Sequence, residues 1–282
     1  MKLSQERILT THVGSLPRSE DVFQLVFAKE AGEQLDLETY DRVIADAVKT
    51  VVSKQTEVGV DVVSDGEQSK ISYATYIKHR LTGFEGDSPR RTPKDLEEYP
   101  AFSKRASESG GVPTFSRPQC TGPIGVKDLQ PLKTDLENFR NALEGTPATD
   151  AFMNAASPGV IAQFQPNQHY SDHQSYLYAL AEAMKVEYEG IAGAGFVIQI
   201  DSPDLALGRH VLFKDKSDEE FVSMVELHIE ALNHALQDIP AEQLRLHVCW
   251  GNYQGPHHCD IEMKKILPPV LKAKPMALSF EG

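Results

Sequence analysis

The stretch DLETYDRVIADAVKTVVSKQTEVGVDVVS, residues 36–64, indicates the fold class because it joins a helical pattern to a strand pattern. Its apolar residues recur at three- and four-residue spacing, which is typical of a helix with one buried face. They are Leu37, Tyr40, Val43, Ile44, Ala47, Val48, Val51 and Val52. Gly59 is placed to end the helix, and residues 60–64 predict a buried strand. A helix that leads directly into a buried strand is typical of α/β proteins with a parallel sheet.

The same order of helix and strand occurs twice more. A helical pattern over residues 176–191 leads into an apolar run at 196–200. A second pattern begins with the capping-box spacing of Ser217 and Glu220 and leads into a strand at 244–249. Further strand candidates are residues 8–14 and 276–281, with a weaker candidate at 119–122. These make about six strand-and-helix units, so we predict a (β/α)8 TIM barrel truncated after about strand six.

The domain organisation follows from this count. Residues 1–282 are predicted to form a single barrel domain whose C-terminal strands are missing. An insertion at about residues 84–118 interrupts the pattern, because Gly, Pro, Ser and charged residues are dispersed through it without periodicity. A hairpin or lid and a structureless loop both stay open for this segment.

Composition and charge exclude several classes of function. The 282 residues are 40% hydrophobic, and 28 Lys and Arg against 41 Asp and Glu give a formal charge of −13. This charge repels phosphate backbones and anionic lipids, so neither nucleic acid nor a membrane is an expected partner. No signal peptide or apolar run of roughly 18 residues is found, which predicts a cytoplasmic protein. Three cysteines do not suggest a disulfide framework, and a homo-oligomer stays open.

Polar residues stand at the C-terminal ends of the predicted strands, where parallel barrels place their active sites. They are Thr11, His12, Gly14, Ser15, Asp65, Gly66, Glu67, Gln199, Asp201, His247, Cys249, Ser279 and Glu281. Because these ends meet at one edge of a parallel sheet, the sequence predicts a single site there.

Two of these strand ends carry a candidate metal site. Strict alternation in residues 244–249 puts His247 and Cys249 on one face, where both can bind one tetrahedral Zn²⁺. Alternation in 276–281 puts Glu281 beside Cys249 on an adjacent strand, which supplies a third ligand. The alternatives are a half-buried pair without a metal and a solvated glutamate.

The remaining cysteines and neighbouring histidines carry weaker signals. His257, His258 and Cys259 could bind a metal, but they lie in the loop 251–260, where adjacent side chains diverge and structural or incidental roles are favoured. Cys120 precedes a turn and is predicted to be a buried packing residue. Trp250 follows Cys249, so alternation points it away from the metal and predicts packing.

Six segments together resemble the catalytic barrel of cobalamin-independent methionine synthase, and particularly its short single-barrel relatives. They are TTHVGSLPR at 10–18, SDGEQSK at 64–70, TGPIG at 121–125, IQIDSP at 198–203, HVCWGNYQGPH at 247–257 and LSFEG at 278–282. The resemblance runs over nearly all of the chain. Its most specific part is HVC followed by a glutamate at the end of a later strand.

The resemblance implies a (β/α)8 barrel that transfers a methyl group from 5-methyltetrahydrofolate, or its polyglutamate, to the thiolate of homocysteine, giving methionine. It implies a Zn²⁺ cofactor bound by His247, Cys249 and Glu281. The family's further zinc ligand, a cysteine near the end of the full barrel, has no counterpart in this sequence. Either the sequence is truncated or another residue completes the site. The general acid that protonates the donor is not identified.

The resemblance also implies a pocket for homocysteine. Gly14 and Ser15 resemble the turn that meets its amino-acid part, Glu67 the acid that meets its ammonium, and Asp201 a carboxylate lining the same pocket. Capping of backbone groups is the alternative for the two acids. No family role transfers to His12, which is predicted to border the metal pocket or to bind substrate. Further candidates at the rim of the pocket are Lys70, Tyr73 and Tyr76.

Two other functions stay open. One is zinc-dependent alkyl transfer to another thiol, as in the related coenzyme M transferases. The other is a barrel without zinc chemistry, either a small-ligand binder or a metal-free, decarboxylase-like relative, because a fold does not determine a function.

Overall fold

The computed structural model of the protein describes residues 1–109, 116–253 and 255–281. Its strands are β1 (Val62–Ser64), β2 (Phe84–Glu85), β3 (Gln119–Cys120), β4 (Asp150–Ala156), β5 (Val197–Asp201), β6 (Leu244–Val248) and β7 (Ala277–Phe280). Five of them form a curled parallel sheet in the order β1-β4-β5-β6-β7. The architecture is therefore α/β, as the helix-strand pattern predicted.

Helices connect and cover these strands. They are α1 (Glu20–Glu30), α2 (Leu37–Glu57), α3 (Lys94–Glu97), α4 (Pro100–Ser109), α5 (Gln130–Leu143), α6 (Pro158–Phe164), α7 (His173–Gly193), α8 (Gly208–Val211), α9 (Asp218–Ala235) and α10 (Met263–Val270). Helix α2 packs on α5, α7 on α9, and α9 on α10. One large apolar core lies between these helices and the sheet. In the described parts of the chain, no helix is both long and apolar enough to cross a bilayer.

The predicted helix at the start of the chain is α2. Asp36 caps it by accepting a hydrogen bond from the backbone N–H of Glu38, and the helix buries a residue at every turn. The buried apolar residues are Tyr40, Ile44, Val48 and Val52. Gly59 follows the helix with a φ of 85°, in the left-handed region where glycine is favoured, and β1 then starts at Val62. Both predicted elements are confirmed.

The predicted capping box at the start of α9 is also confirmed. The Ser217 hydroxyl accepts from the Glu220 backbone N–H at 3.2 Å, and the Glu220 carboxylate accepts from the Ser217 N–H at 2.7 Å. Phe221 and Val225 are buried on the inner face of the helix. The box therefore sets where α9 begins and which face packs inward.

Two of the strand predictions are wrong. Residues 119–122 contribute β3, which pairs antiparallel with β2 in a hairpin outside the main sheet. The strand that follows β1 in the main sheet is instead β4, which was not predicted from the sequence. Residues 8–14 make a single parallel bridge, from Thr11 to Val62, and no full strand in the described structure. Ile8 and Val13 are exposed, so this segment lacks the burial that a central strand has.

Within the predicted insertion, the described residues form β2, α3 and α4, and β3 follows directly after it. The hairpin of β2 and β3 joins its two ends, because the Gly83 carbonyl accepts from the backbone N–H of Thr121 at 2.8 Å. Residues 110–115 of the insertion lie outside the described residues. The segment leaves and rejoins the fold at the same hairpin.

Candidate functional site

A cavity of about 490 Å³ lies at the C-terminal ends of the strands of the main sheet. All the residues that the sequence predicted to bind substrate or metal line it. They are His12, Gly14, Ser15, Glu67, Asp201, His247, Cys249 and Glu281. The fold therefore brings together residues from nearly the start of the sequence, at His12, to nearly its end, at Glu281.

Glu67 reaches the cavity from a strained turn after β1. Gly66 and Glu67 have φ values of 63° and 55°, and Glu67 is the only non-glycine residue in the described chain with a positive φ. The Arg18 guanidinium braces this turn by donating to the backbone carbonyls of Glu67 at 2.6 Å and Gln68 at 3.2 Å. Strained backbone of this kind concentrates at functional sites.

Asp201 ends β5 and is held by two side-chain amides. Asn154 donates to Oδ2 at 2.9 Å, and Gln199 donates to Oδ1 at 2.8 Å. Both amides also donate to the Val13 carbonyl, which fastens the N-terminal segment to the cavity wall. Asn154 was missed because its strand, β4, was missed. A single polar residue within the apolar run 152–156 was the available signal.

The carboxyl groups of Glu67 and Asp201 form an acidic wall of the cavity. Burial raises the pKa of Glu67, and the neighbouring charge of Asp201 raises it further, while the Ser15 hydroxyl opposes this by donating to Oε2 at 2.9 Å. Burial also raises the pKa of Asp201, to about 6. A ligand with an ammonium group would compensate the charges of both residues.

Gly14 lets the backbone approach this wall closely. A Cβ atom at position 14 would lie 2.7 Å from Asn154 Nδ2 and 2.8 Å from Glu67 Oε1. Both distances are shorter than van der Waals contact, so a side chain at this position would displace the two polar groups.

His247 and Cys249 face the cavity from β6, as alternation predicted. Leu246 and Val248 are buried on the other side. His247 pairs in register with Ser279 of β7, and its Nδ1 lies 3.2 Å from the Ser279 hydroxyl. The Cys249 Sγ accepts a hydrogen bond from the Gly251 N–H at 3.2 Å.

These residues fit a zinc ion in the type of ligand that they offer. Imidazole, thiolate and carboxylate are all zinc ligands, and the contact of Nδ1 with Ser279 leaves Nε2 of His247 available. Among the described residues, the donor atoms of His247, Cys249 and Glu281 do not all lie within 4.8 Å of one another. Glu281 is exposed, so its carboxylate is able to rotate. Burial raises the pKa of the Cys249 thiol, and Glu281 raises it further.

Of the three residues predicted at the rim of the pocket, one lies in the cavity and two lie in the core. Tyr73 lines the cavity. The prediction is wrong for Lys70 and Tyr76, which are buried behind the cavity, because Lys70 Nζ donates to the Asn154 carbonyl at 2.6 Å and Tyr76 donates to Glu187. Trp250 is buried, and its Nε1 donates to the Ile261 carbonyl at 2.8 Å, so the predicted packing role is confirmed.

Comparisons with known proteins find similar sequences among the methionine synthases. The family model described as the catalytic domain of the cobalamin-independent synthases matches residues 8–89. The methionine synthase of Sulfolobus acidocaldarius is 25% identical over 260 residues, which cover 91% of this chain and 66% of that protein. The methionine synthase of Saccharolobus solfataricus is also 25% identical over 260 residues, covering 91% of this chain and 68% of that protein. Both comparisons thus find the chain similar to the cobalamin-independent methionine synthases.

A solved member of this family has the same fold. The structure of a B12-independent methionine synthase from Shewanella sp. W3-18-1, in complex with selenomethionine, matches with a TM-score of 0.59 at 20% identity. The match covers 86% of this chain and 61% of that one. The chain thus spans about two thirds of the length of the methionine synthases that it matches.

Proposed function

We propose that the chain transfers a methyl group from 5-methyltetrahydrofolate, or its polyglutamate, to the thiolate of homocysteine and so forms methionine. The observation that carries this proposal is the cavity that His247, Cys249 and Glu281 share with two buried carboxyl groups. The similarity of the chain to methionine synthases supports it.

His247, Cys249 and Glu281 would hold a Zn²⁺ ion at one side of the cavity. Zinc lowers the pKa of a bound thiol, so that a substrate thiolate is available at neutral pH. Ser279 would keep His247 in the orientation that leaves Nε2 available.

Glu67 and Asp201 would hold the ammonium group of the acceptor in the same cavity. Ser15 and the amides of Asn154 and Gln199 orient the two carboxyl groups through their hydrogen bonds. The backbone at Gly14 would lie against the amino-acid part of the acceptor. His12, at the cavity wall, would be a further contact for substrate.

The acidic wall favours an amino-acid thiol over a sulfonate thiol of the coenzyme M type. Glu67 is 2% exposed and Asp201 is 6% exposed, so their charges are poorly screened by water. An anionic sulfonate beside them would be repelled, whereas the ammonium group of homocysteine would be attracted.

At the level of the fold, we propose that the five strands of the main sheet belong to a (β/α)8 barrel and that the segment of Thr11 occupies the position of a sixth. The parallel bridge from Thr11 to Val62 supports this, since it extends the five-stranded sheet beyond β1. Residues 84–118 would be an insertion in a single barrel domain.

The test is methyl transfer by the purified chain supplied with zinc and methyltetrahydrofolate. Homocysteine, cysteine and 2-mercaptoethanesulfonate are offered as acceptors, and methylated products are measured by mass spectrometry. We expect homocysteine to be the preferred acceptor, Cys249→Ser to abolish turnover, and the exposed control His169→Gln to keep it. Methionine formation by Cys249→Ser at the rate of the unsubstituted chain would contradict the proposal.

A further inference from the structure

A second group of metal-ligand side chains lies outside the cavity. Asp95 on α3, His210 on α8 and Asp260 in the loop after β6 bring one donor atom each within 4.8 Å of one another. Asp95 also belongs to a second such group, with His258 and Cys259. The group lies where residues 84–109 meet the loop that follows Cys249.

The donor atoms of this group are buried and lack hydrogen bonds. Asp95 is 0% exposed and His210 is 1% exposed. Nδ1 of His210 lies 3.5 Å from Asp95 Oδ1, and Nε2 lies 3.2 Å from Asp260 Oδ1. Within the described residues, none of these four atoms makes a hydrogen bond. Buried polar atoms are nearly always hydrogen-bonded, so four unpaired atoms facing one another require a reason.

The outer oxygens of the two carboxylates are already paired. Asp95 Oδ2 accepts from the Tyr253 hydroxyl at 2.8 Å, and Asp260 Oδ2 lies 3.1 Å from His257 Nδ1. The unpaired oxygens, Oδ1 of each residue, are those that face His210. Two carboxylates that bring unpaired, buried oxygens close to the same imidazole ring are suited to a cation.

We propose that Asp95, His210 and Asp260 bind a divalent metal ion of the Zn²⁺ class, with Cys259 as the fourth donor. Carboxylate, imidazole and thiolate together favour a borderline-soft ion over Mg²⁺ or Ca²⁺. Cys259 is adjacent to Asp260 in the sequence, and its Sγ lies within 4.8 Å of a carboxylate oxygen of Asp95. His258, in contrast, is exposed and pairs with Glu98 at 2.8 Å. Binding would release the thiol proton of Cys259 to solvent.

The metal would have a structural role in positioning the cavity wall. Its ligands come from α3, from α8 and from the loop that begins after Cys249, and Gly251 and Asn252 of that loop line the cavity. The ion would therefore fasten the 84–118 segment to this wall. Structural zinc sites contribute directly to the free energy of folding.

Metal content distinguishes this site from the candidate site in the cavity. Each protein is stripped with chelator, equilibrated with buffered Zn²⁺ and analysed by mass spectrometry. We expect Cys249→Ser to retain one equivalent, and His210→Gln and Asp260→Asn each to lose that equivalent in the Cys249→Ser background. His169→Gln in the same background is the imidazole control and should retain it. If the cavity binds no zinc while this second site does, the Cys249→Ser protein and the unsubstituted chain would both contain one equivalent.

If His210→Gln does not fold, Asp260→Asn provides the test. Asp260 lies in a partly exposed loop, so its substitution should leave the fold intact. Circular dichroism establishes folding. Co²⁺ in the Cys249→Ser background should give a thiolate-to-cobalt absorption band that Cys259→Ser removes. Zn²⁺ should also raise the melting temperature and protect residues 84–109 from protease. A folded Asp260→Asn protein that keeps the full equivalent, or a Cys249→Ser protein that binds none, would overturn the proposal.

Discussion

Adding a single methyl group at Gly14 tests whether binding of the acceptor depends on the acidic wall. In Gly14→Ala the new Cβ would stand 2.7 Å from Asn154 Nδ2 and 2.8 Å from Glu67 Oε1, so the carboxylate would have to move. We expect KM for homocysteine to rise about tenfold, equivalent to about 1.4 kcal/mol of binding. Steady-state kinetics on the pure variant measure this change.

The matched control is Gly193→Ala, at the end of α7, where an added Cβ meets nothing within 4 Å. It should leave KM unchanged and stability equal or slightly higher, because alanine favours helices. An unchanged KM in Gly14→Ala would show that acceptor binding does not depend on Glu67.

Asp65, directly after β1, should make stability depend on pH. Burial raises the pKa of this carboxyl from 3.8 to about 6, although its Oδ1 accepts from the Glu67 N–H at 3.1 Å. Between about pH 4 and pH 6 the folded chain keeps a proton that the unfolded chain has lost, so stability falls as pH rises. The difference reaches at most about 3 kcal/mol.

Urea unfolding of Asp65→Asn at several pH values measures this contribution. The variant should show a smaller fall between pH 4 and pH 6 than the unsubstituted chain, since its amide does not titrate whereas Asp201, whose pKa burial also raises to about 6, still does. The exposed control Asp215→Asn should keep the fall. Identical pH profiles for Asp65→Asn and the unsubstituted chain would show that Asp65 is ionised in the folded state throughout.

At the scale of secondary-structure elements, strong local signals were sufficient for some predictions. The apolar spacing of α2 and the capping box of α9 predicted both helices because each pattern is set by neighbours in the sequence. β4 was missed because its sequence, DAFMNAA, lacks the β-branched residues that mark a strand. Its burial between β1 and β5 depends on contacts far away in the sequence.

The same distinction applies to the site. Alternation along one strand predicted the shared face of His247 and Cys249, because that relation is local. The contact of Asn154 with Asp201 could not be predicted, since it requires the pairing of β4 with β5. The group of Asp95 and His210 likewise arises from packing of the 84–118 segment on α8, which no local pattern encodes.

The capping box of α9 predicts a measurable loss of stability at one residue. Ser217→Ala removes the acceptor for the Glu220 N–H, leaving a donor at the helix start unpaired. The free energy of unfolding should fall by about 1 kcal/mol, as measured by urea denaturation. Ser223→Ala, a substitution on the exposed face of the same helix, should have no such effect. Equal losses in the two variants would indicate a general effect on the helix rather than loss of the cap.

At the scale of the whole molecule, a buried ion cluster joins three separate parts of the fold. Arg80, which follows a short 3-10 turn after β1, pairs with Asp135 of α5 and with Glu187 of α7, the latter at 2.8 Å. All three side chains are less than 10% exposed. Tyr76 also donates to Glu187, so the cluster connects the region behind the cavity to the outer helices.

Removing only the cation should lower the free energy of unfolding more than removing all three charges of the cluster. Arg80→Met leaves two carboxylates buried without their partner, which should lower the free energy of unfolding by about 3–5 kcal/mol. Adding Asp135→Asn and Glu187→Gln neutralises both acids and should restore part of that loss, because no unpaired charge then stays buried. Urea denaturation of the single and triple variants provides the measurement. If the triple variant is no more stable than Arg80→Met, the loss comes from packing around the arginine side chain and not from the two uncompensated charges.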